Sequence, residues 1–336
     1  MTLLTQYSQI DTSAWERLLK ESSVASWFQS NEAYCFLDSL SFMKAFVVAV
    51  VEDGTLMGLT VGYIQGDGGM LKKRLSRRAI IIGGPLLSKN ITEHQLSAML
   101  SVVRQLPAVK KCIYIETRNL NDFSRWKNVF EDCGFKYVPH YNFHQDTTSI
   151  AAINSKLSRT RKRHIHVGLR DGATLGGATT EAEVDEFYGI LSDLYRHKVK
   201  KPLPPRKFFQ KMLALPSAKI LTVNYQGHVI GGMAYIELSE RVGYEWYVCG
   251  MDDKYKTLYP SELATYAGLQ YAATSGCPRF DFMGAGKPGV SYGVRDFKAL
   301  FGGELVEHGR YLHLNKPLLY NLGRVAINIL EKLHRS

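Results

Sequence analysis

The sequence has no apolar run long enough to cross a bilayer. Its longest, Phe46–Val51 and Ala79–Ile82, fall well short of the ~20 residues a spanning helix needs. Met1–Ile10 lacks a charged start followed by an apolar stretch, so no secretory leader is expected. Cysteine is scarce: Cys35, Cys112, Cys133, Cys249 and Cys277 are odd in number, scattered, and never in CxxC spacing. That pattern argues against a disulfide framework or a zinc site and for free thiols in a reducing cytoplasm. His140 with His144, and His164 with His166, lack a third ligand in a convincing register, so no metal is expected. Gly284-Ala-Gly-Lys287 lacks the spacer and the hydroxyl residue of a phosphate-cradling loop. There is no heptad run to build a coiled-coil arm.

What is present describes an ordinary globular protein with more than one core. The chain has 336 residues, 45% hydrophobic and 22% charged, which makes two domains the default. Its net charge of +11 points to an anionic partner, whether nucleotide, tRNA, phosphorylated lipid or membrane surface. Lys72–Arg78 packs cations densely and reads as a solvated loop. The segment Asn154–Ala173 reads as a helix whose Lys156, Arg159, Arg161, Lys162, Arg163 and Arg170 cover several faces. It is either a solvated helix or an edge that contacts phosphates, for which Arg is suited by its forked donors. Pro202, Pro204 and Pro205 form a stiff loop that can hold Arg206 in place.

The order of elements repeats. Phe46–Val51, the turn Asp53-Gly54 and Leu56–Ile64 form a hairpin, followed by a strand at Ala79–Leu86, a helix at Thr92–Leu106 and a strand at Cys112–Glu116. Ile220–Tyr225, Gln226-Gly227, Val229–Leu238, Tyr244–Cys249, Leu263–Ser275 and Phe280–Met283 repeat that order, with Gly231 matching Gly58. Such a long-period duplication of an α/β unit predicts one fold for both halves. The closing stretch Pro317–Leu333 reads as an amphipathic helix, for packing or for a membrane surface.

The densest chemistry lies in Arg279–Glu304, RFDFMGAGKPGVSYGVRDFKALFGGE. An apolar strand carrying Asp281 runs into a glycine-rich loop, and a second apolar run, Phe297–Phe301, reads as a strand with Lys298 inside it. Lys is rarely buried without a partner or a purpose. A cation beside a carbonyl under attack by an amine stabilises the charge that develops on oxygen. The bland alternative is a lysine whose stem packs on the sheet while its head reaches water.

These segments, together with SWFQSNEAY (Ser26–Tyr34), LSRTRKRHIHVGLRDGA, LYRHKVKKPLPPRKFFQKM (Leu194–Met212), FDFMG (Phe280–Gly284) and DFKALFGG (Asp296–Gly303), give the chain a resemblance over nearly its whole length. It resembles the Fem family of peptidoglycan aminoacyltransferases, tandem GNAT-type acyltransferases. The resemblance implies an α/β (α+β) fold of two tandem GNAT-like domains, each a mixed central sheet flanked by helices, with no coiled-coil arm. Domain one would span residues 1–148, domain two 149–315 with the catalytic cleft, and the helix at 316–336 would return to domain one.

The resemblance further implies transfer of an aminoacyl group from aminoacyl-tRNA to an amine of an anionic peptidoglycan precursor. No cofactor is implied, and the protein is placed in the cytoplasm or at the inner face of the membrane. Acyl-CoA-dependent N-acyl transfer on the same fold, or a relative that only binds, are the other readings. The family's Phe-Lys pair maps onto Phe297 and Lys298. Asp281 would orient the attacking amine, or else pair with Arg279 or Arg295. Arg206 falls near the family's phosphate-gripping arginine, and Lys198 and Tyr292 join it as substrate-binding candidates. Two departures stand out. No lysine follows Gln29-Ser30, where the family has one for precursor phosphates. GNAT enzymes that bind CoA carry a glycine-rich turn at a helix start, yet Asp252–Leu263 and Leu86–Asn90 contain no glycine.

Overall fold

The computed structural model describes residues 1–66 and 76–333, so residues 72–75 of the basic run lie outside the described residues. The chain forms two compact units, one of residues 1–139 with 308–336, the other of residues 140–307.

Unit 1 contains strands β1 (Thr2–Leu4), β2 (Lys44–Glu52), β3 (Thr55–Gln65), β4 (Arg78–Ile82), β5 (Leu86–Leu87), β6 (Tyr114–Arg118), β7 (Lys136–Val138) and, from the far end of the chain, β15 (Arg310–Leu314). Helices α1 (Thr12–Glu21), α2 (Asn31–Asp38), α3 (Glu93–Gln105), α4 (Lys127–Asp132) and α11 (Pro317–Leu333) belong to it. Asp11 caps α1 through the Ser13 N–H, and Thr92 and Gln95 form a capping box that starts α3. Leu96, Met99, Leu100 and Val103 then recur at helical spacing and bury that face of α3 in the core with Ile81, Ile115 and Phe130. Tyr320 of α11 packs edge-on against Tyr114 of β6.

Unit 2 contains β8 (Tyr141–Asp146), β9 (Thr174–Gly177), β10 (Ala218–Tyr225), β11 (His228–Leu238), β12 (Val242–Gly250), β13 (Arg279–Asp281) and β14 (Glu304–Glu307). Its helices are α5 (Ile150–Lys156), α6 (Arg159–Arg170), α7 (Glu181–Leu194), α8 (Arg206–Met212), α9 (Pro260–Thr274) and α10 (Gly293–Ala299). Leu263, Ala264, Ala267 and Leu269 of α9 pack on Met233, Tyr235 and Phe280 in its core.

The two sheets have one strand order. Unit 1 reads β1-β2-β3-β4-β6-β15-β7 and unit 2 reads β9-β10-β11-β12-β13-β8-β14. In both, the fourth and fifth strands pair in parallel, while the hairpin before them is antiparallel. The hairpin turns use left-handed backbone at Asp53-Gly54 and at Gln226-Gly227, as two-residue turns between twisted strands require. A register shift follows the pair Val50↔Gly58 in one hairpin and the pair Val223↔Gly231 in the other, so the duplication extends to the bulge.

The boundaries expected at 148 and 315 shift. β8 pairs with β13 and β14, which places residues 140–148 in unit 2, and β15 pairs with β6 and β7, which places 308–315 in unit 1. Each sheet thus takes its sixth strand from the segment that follows the other sheet's seventh. Phe297–Phe301 is not a strand: α10 covers Gly293–Ala299, which brings Phe297 and Phe301, four residues apart, to one side, with Phe301 in the core and Phe297 packed against it. α7 ends at Leu194 and passes into a single π-type turn, Tyr195–Val199, which carries Lys198. The longest helix among the described residues has 17 residues, and none is long and apolar enough to cross a membrane.

Candidate active site

The candidate site of unit 2 begins where two parallel strands part. β12 and β13 pair over only three registers, ending at Tyr244↔Asp281. Beyond that point β12 continues to Gly250 alongside β11, with an extra residue, Trp246, bulged between Glu245↔Tyr235 and Tyr247↔Ala234. The chain after β13 turns the other way. Met283 takes a left-handed φ of +58°, and the Phe282 and Ala285 N–H groups donate to Phe143 and Tyr141 of β8. A wedge therefore opens between Glu245 and Phe282.

Lys298 fills that wedge from α10. Its residue is 7% exposed, and its ammonium pairs with Glu245 Oε1 at 2.9 Å and donates to the carbonyls of Phe282 and Gly284. An ammonium has three N–H donors, and all three are in use. Glu245 is itself buried at the foot of the wedge and accepts from the Thr265 hydroxyl of α9. Burial pushes its carboxyl up against the opposing pull of Lys298 and Thr265. The head of Lys298 is thus interior and saturated.

Asp281 is fully buried. Its Oδ1 accepts from Asn142 Nδ2 at 2.7 Å and from the Met283 N–H at 2.6 Å, and its Oδ2 meets His144 Nε2 at 3.1 Å. Burial alone would push the carboxyl up, but the bonds from His144, Asn142 and Met283 outweigh it and hold Asp281 below the ordinary carboxylate range. Asn142 Oδ1 in turn accepts the Gly284 N–H at 2.7 Å. Asp281 and Asn142 together hold the left-handed bend at Met283, and Asp281 also holds the His144 ring. Arg295 is engaged elsewhere, donating to the carbonyls of Lys287 and Val290.

Phe297 does not face the wedge opening. Its ring and that of Phe301 clasp the Arg161 guanidinium, whose Cζ lies 4.5 Å from each ring centroid. Arg161 is 2% exposed, donates to the Phe297 carbonyl and pairs with Glu262. One cation of the basic segment is therefore an interior tie between α6, α9 and α10, neither solvated nor at a phosphate edge. His164 stacks on Tyr259 and also meets Glu262.

The substrate-binding candidates separate. Tyr292 occupies the N-cap position of α10 without a side-chain capping bond, and its ring lies over Gly286, where an added Cβ would stand 2.7 Å away. Arg206 and Lys198 lie at the surface, paired with Asp185 at 3.1 Å and with Asp253 at 2.7 Å. Lys298, Asp281 and Tyr292 are thus gathered around the β13–α10 loop, while Arg206 and Lys198 are engaged in exposed ion pairs outside it. The sequence alone does not single out Glu245, and it offers His144 only as half of an incomplete metal pair and Arg161 only as one cation among six. Glu245 had a signal, a lone acid within the apolar strand GYEWYVCG; His144 becomes visible only through its register opposite Asp281.

A family profile described as an acetyltransferase (GNAT) domain matches residues 155–299. No curated protein sequence matches the chain. Among solved structures, FemX is 12% identical over 96% of this chain and 99% of its own, with a TM-score of 0.72. L-PGS from Bacillus licheniformis is 14% identical over 95% and 96%, with a TM-score of 0.57. A tandem GNAT protein from the clavulanic acid biosynthesis pathway is 9% identical over 94% and 99%, with a TM-score of 0.55. At these identities the likeness is one of fold: two GNAT units in tandem along nearly the whole chain.

Proposed function

We propose that this chain, an acyltransferase of the Fem-like tandem GNAT kind, moves an aminoacyl group from aminoacyl-tRNA to an amine of a peptidoglycan precursor, with the chemistry in unit 2. The observation that carries this reading is the buried Lys298–Glu245 pair at the parting of β12 and β13. The acceptor amine attacks the ester carbonyl, a C–N bond forms, and the negative charge on oxygen meets Lys298. For this, Lys298 exchanges one of its two carbonyl partners for the oxyanion while Glu245 stays as its counter-ion. Collapse breaks the ester C–O bond, the tRNA hydroxyl leaves with a proton, and the amine's proton passes to substrate or solvent. Asp281 holds the loop that carries the Phe282 and Gly284 carbonyls, so its part is positional. Arg206, Lys198 and Tyr292 are the residues assigned to the anionic acceptor. The exposed face of α11, with Leu318, Leu322 and Val325, suits a peripheral place at the inner membrane surface.

A second reading, N-acyl transfer from an acyl-CoA, is favoured by the acetyltransferase profile over 155–299. Incubation with a cell-wall precursor and either aminoacyl-tRNA or acetyl-CoA, read by mass spectrometry, separates the two. The aminoacyl mass on the precursor is expected. Mass added only from acetyl-CoA would install the second reading, and no addition from either donor would leave a protein that binds without transfer.

A further inference from the structure

A cavity of about 230 Å³ opens in unit 1, walled by the end of α3, the short helical turn Pro107–Lys110 and the end of β15. Its lining, Ser101, Arg104, Gln105, Lys110, His313 and Asn315, holds two permanent cations and no carboxylate. The Arg104 guanidinium is set by two bonds: Nη1 donates to the Cys133 carbonyl at 2.7 Å, and Nε donates to His313 Nε2 at 3.3 Å. His313 Nδ1 lies 2.8 Å from the Gly134 carbonyl, which can only accept. Nδ1 therefore carries the proton, and Nε2 keeps its lone pair for Arg104. Burial and the nearby Arg104 charge lower the His313 pKa and keep the ring neutral in that role. Two of the five guanidinium N–H groups orient the fork, and the other three have no partner among the described residues. The Lys110 ammonium and the Ser101 and Gln105 side chains have none there either. Two cations gathered without a carboxylate repel each other, and an incoming anion relieves that cost.

The cavity is smaller than the ~300–1,000 Å³ of pockets that enclose a drug-sized ligand, so it suits an anionic head whose remainder stays outside. What stands beside it is apolar. Asn315, in the cavity wall, is three residues from Leu318, which keeps their Cα atoms within about 11 Å. Leu318, Leu322 and Val325 follow at helical spacing on one side of α11 and are 81%, 66% and 55% exposed, while Tyr320 packs inward on Tyr114. A single exposed leucine is ordinary; a row of apolar side chains along one helix face marks an interaction surface. Cations flank it: Lys316 starts the helix and reaches the Lys111 carbonyl, and Arg324 lies over the Tyr320 ring. We propose that this corner of unit 1 binds an anionic phospholipid. The Arg104–Lys110 cavity takes the phosphate of the headgroup, and the exposed face of α11 lies among the acyl chains next to it. The inference rests on the peripheral membrane placement given above, and it adds the class of lipid and the side chains that select it.

Co-sedimentation of the full chain with vesicles of phosphatidylcholine, alone or mixed with phosphatidylglycerol, tests the assignment. Wild type is expected to bind the mixed vesicles about tenfold or more tightly than the neutral ones. Arg104→Gln with Lys110→Gln should remove most of that preference, and Leu318→Ser with Leu322→Ser should weaken binding to both kinds of vesicle. Lys110→Gln alone touches an exposed side chain with no partner to lose, so it guards against an Arg104 variant that fails to fold; it should reduce the preference several-fold. Calorimetry with inorganic phosphate distinguishes the source of the anion. Saturable phosphate binding that the Arg104/Lys110 variant loses, with no binding of wild type to mixed vesicles, would make this a site for a free anion and overturn the lipid assignment. Equal binding to both vesicles, or a preference that survives in the folded double variant, overturns it as well. Transfer to a soluble precursor on the same preparations separates this claim from the catalytic one. Intact transfer without vesicle binding removes the docking site alone, and vesicle binding without transfer sinks the transfer reading alone.

Discussion

The two units share strand order, hairpin turns and bulge, and they differ at the joint where the two parallel strands end. In unit 1 the parallel pair β4–β6 runs through five registers, and the Gly83 N–H extends it to the Arg118 carbonyl. The end of that pair is then sealed. Gln29, fully buried, donates to the carbonyls of Gly83 and Gly84 at 3.0 and 2.9 Å and accepts from the Ser26 N–H. In unit 2 the same pair stops after three registers, and the wedge is held by a lysine and a glutamate in place of a neutral amide. Both plugs satisfy two backbone carbonyls just past a strand end. Only the second places a buried ammonium–carboxylate pair there, and on the proposed reading that ammonium meets the reacting carbonyl. On the proposed reading, shortening a single ladder confines the chemistry to one copy of a duplicated scaffold.

The largest effect expected from breaking this contrast falls on Lys298. Lys298→Met should lower aminoacyl transfer by about a hundredfold or more. It also leaves Glu245 buried without its partner, at a cost of about 3–5 kcal/mol. The double variant Lys298→Met with Glu245→Gln removes the stranded charge and should recover most of that stability without recovering turnover. Thermal melts and initial rates on both variants make the separation. Full turnover in the folded double variant would leave the wedge without a catalytic role.

A smaller effect sharpens the unit 1 side. Glu116 in β6 is pushed up by burial, but Arg118 and Arg310 outweigh that and hold it at about 2. A depressed carboxyl contributes stability above its unfolded pKa, and that contribution is lost as pH falls toward the folded value. The loss should therefore run from about pH 4.3 down to about pH 2 and amount to roughly 3 kcal/mol. Glu116→Gln should flatten that part of the melting-temperature profile. An unchanged acid profile would mean the Glu116–Arg118–Arg310 cluster does not hold unit 1 together.

Next in size is the neutral plug. Gln29→Ala strands the Gly83 and Gly84 carbonyls and the Ser26 N–H, and should cost about 1–3 kcal/mol. Transfer by the folded variant should stay near wild type. A hundredfold loss at temperatures where the variant is folded would bring unit 1 into the chemistry and end the contrast.

Much of the scaffold was legible in the residues, and the reasons are local. Asp53-Gly54 and Gln226-Gly227 mark hairpins because such turns demand left-handed backbone. The repeated order of turns, apolar runs and amphipathic helices exposed the duplication. The sixth strands were not legible, since Tyr141–Asp146 and Arg310–Leu314 are short and nothing in them names the sheet they join. Phe297–Phe301 reads as a strand from sequence because five residues with one cation fit either period, and no buried apolar residue before Phe297 extends the pattern to a helix. Lys298 stands out in sequence as a cation in an apolar run and is buried, but its partner Glu245 lies far off in sequence. Arg161 looked like one of six interchangeable cations until its contacts with Phe297 and Phe301 set it apart.

The smallest structural effect belongs to Arg206, and that makes it the cleanest probe of acceptor binding. Its pair with Asp185 joins a mostly exposed guanidinium to a carboxylate at 3.1 Å, and exposed pairs contribute about 0–1 kcal/mol. Arg206→Ala should therefore leave the melting temperature within about 1–3 °C of wild type. If Arg206 instead serves the anionic acceptor, it releases Asp185 to do so, and its loss removes binding that ground state and transition state share. KM for the precursor should rise about tenfold with kcat nearly unchanged. Arg206→Lys keeps the charge without the fork, and should fall between the two if a phosphate is gripped bidentately. An unchanged KM in Arg206→Ala would leave the residue a surface ion pair and move acceptor recognition toward Tyr292 and the β13–α10 loop.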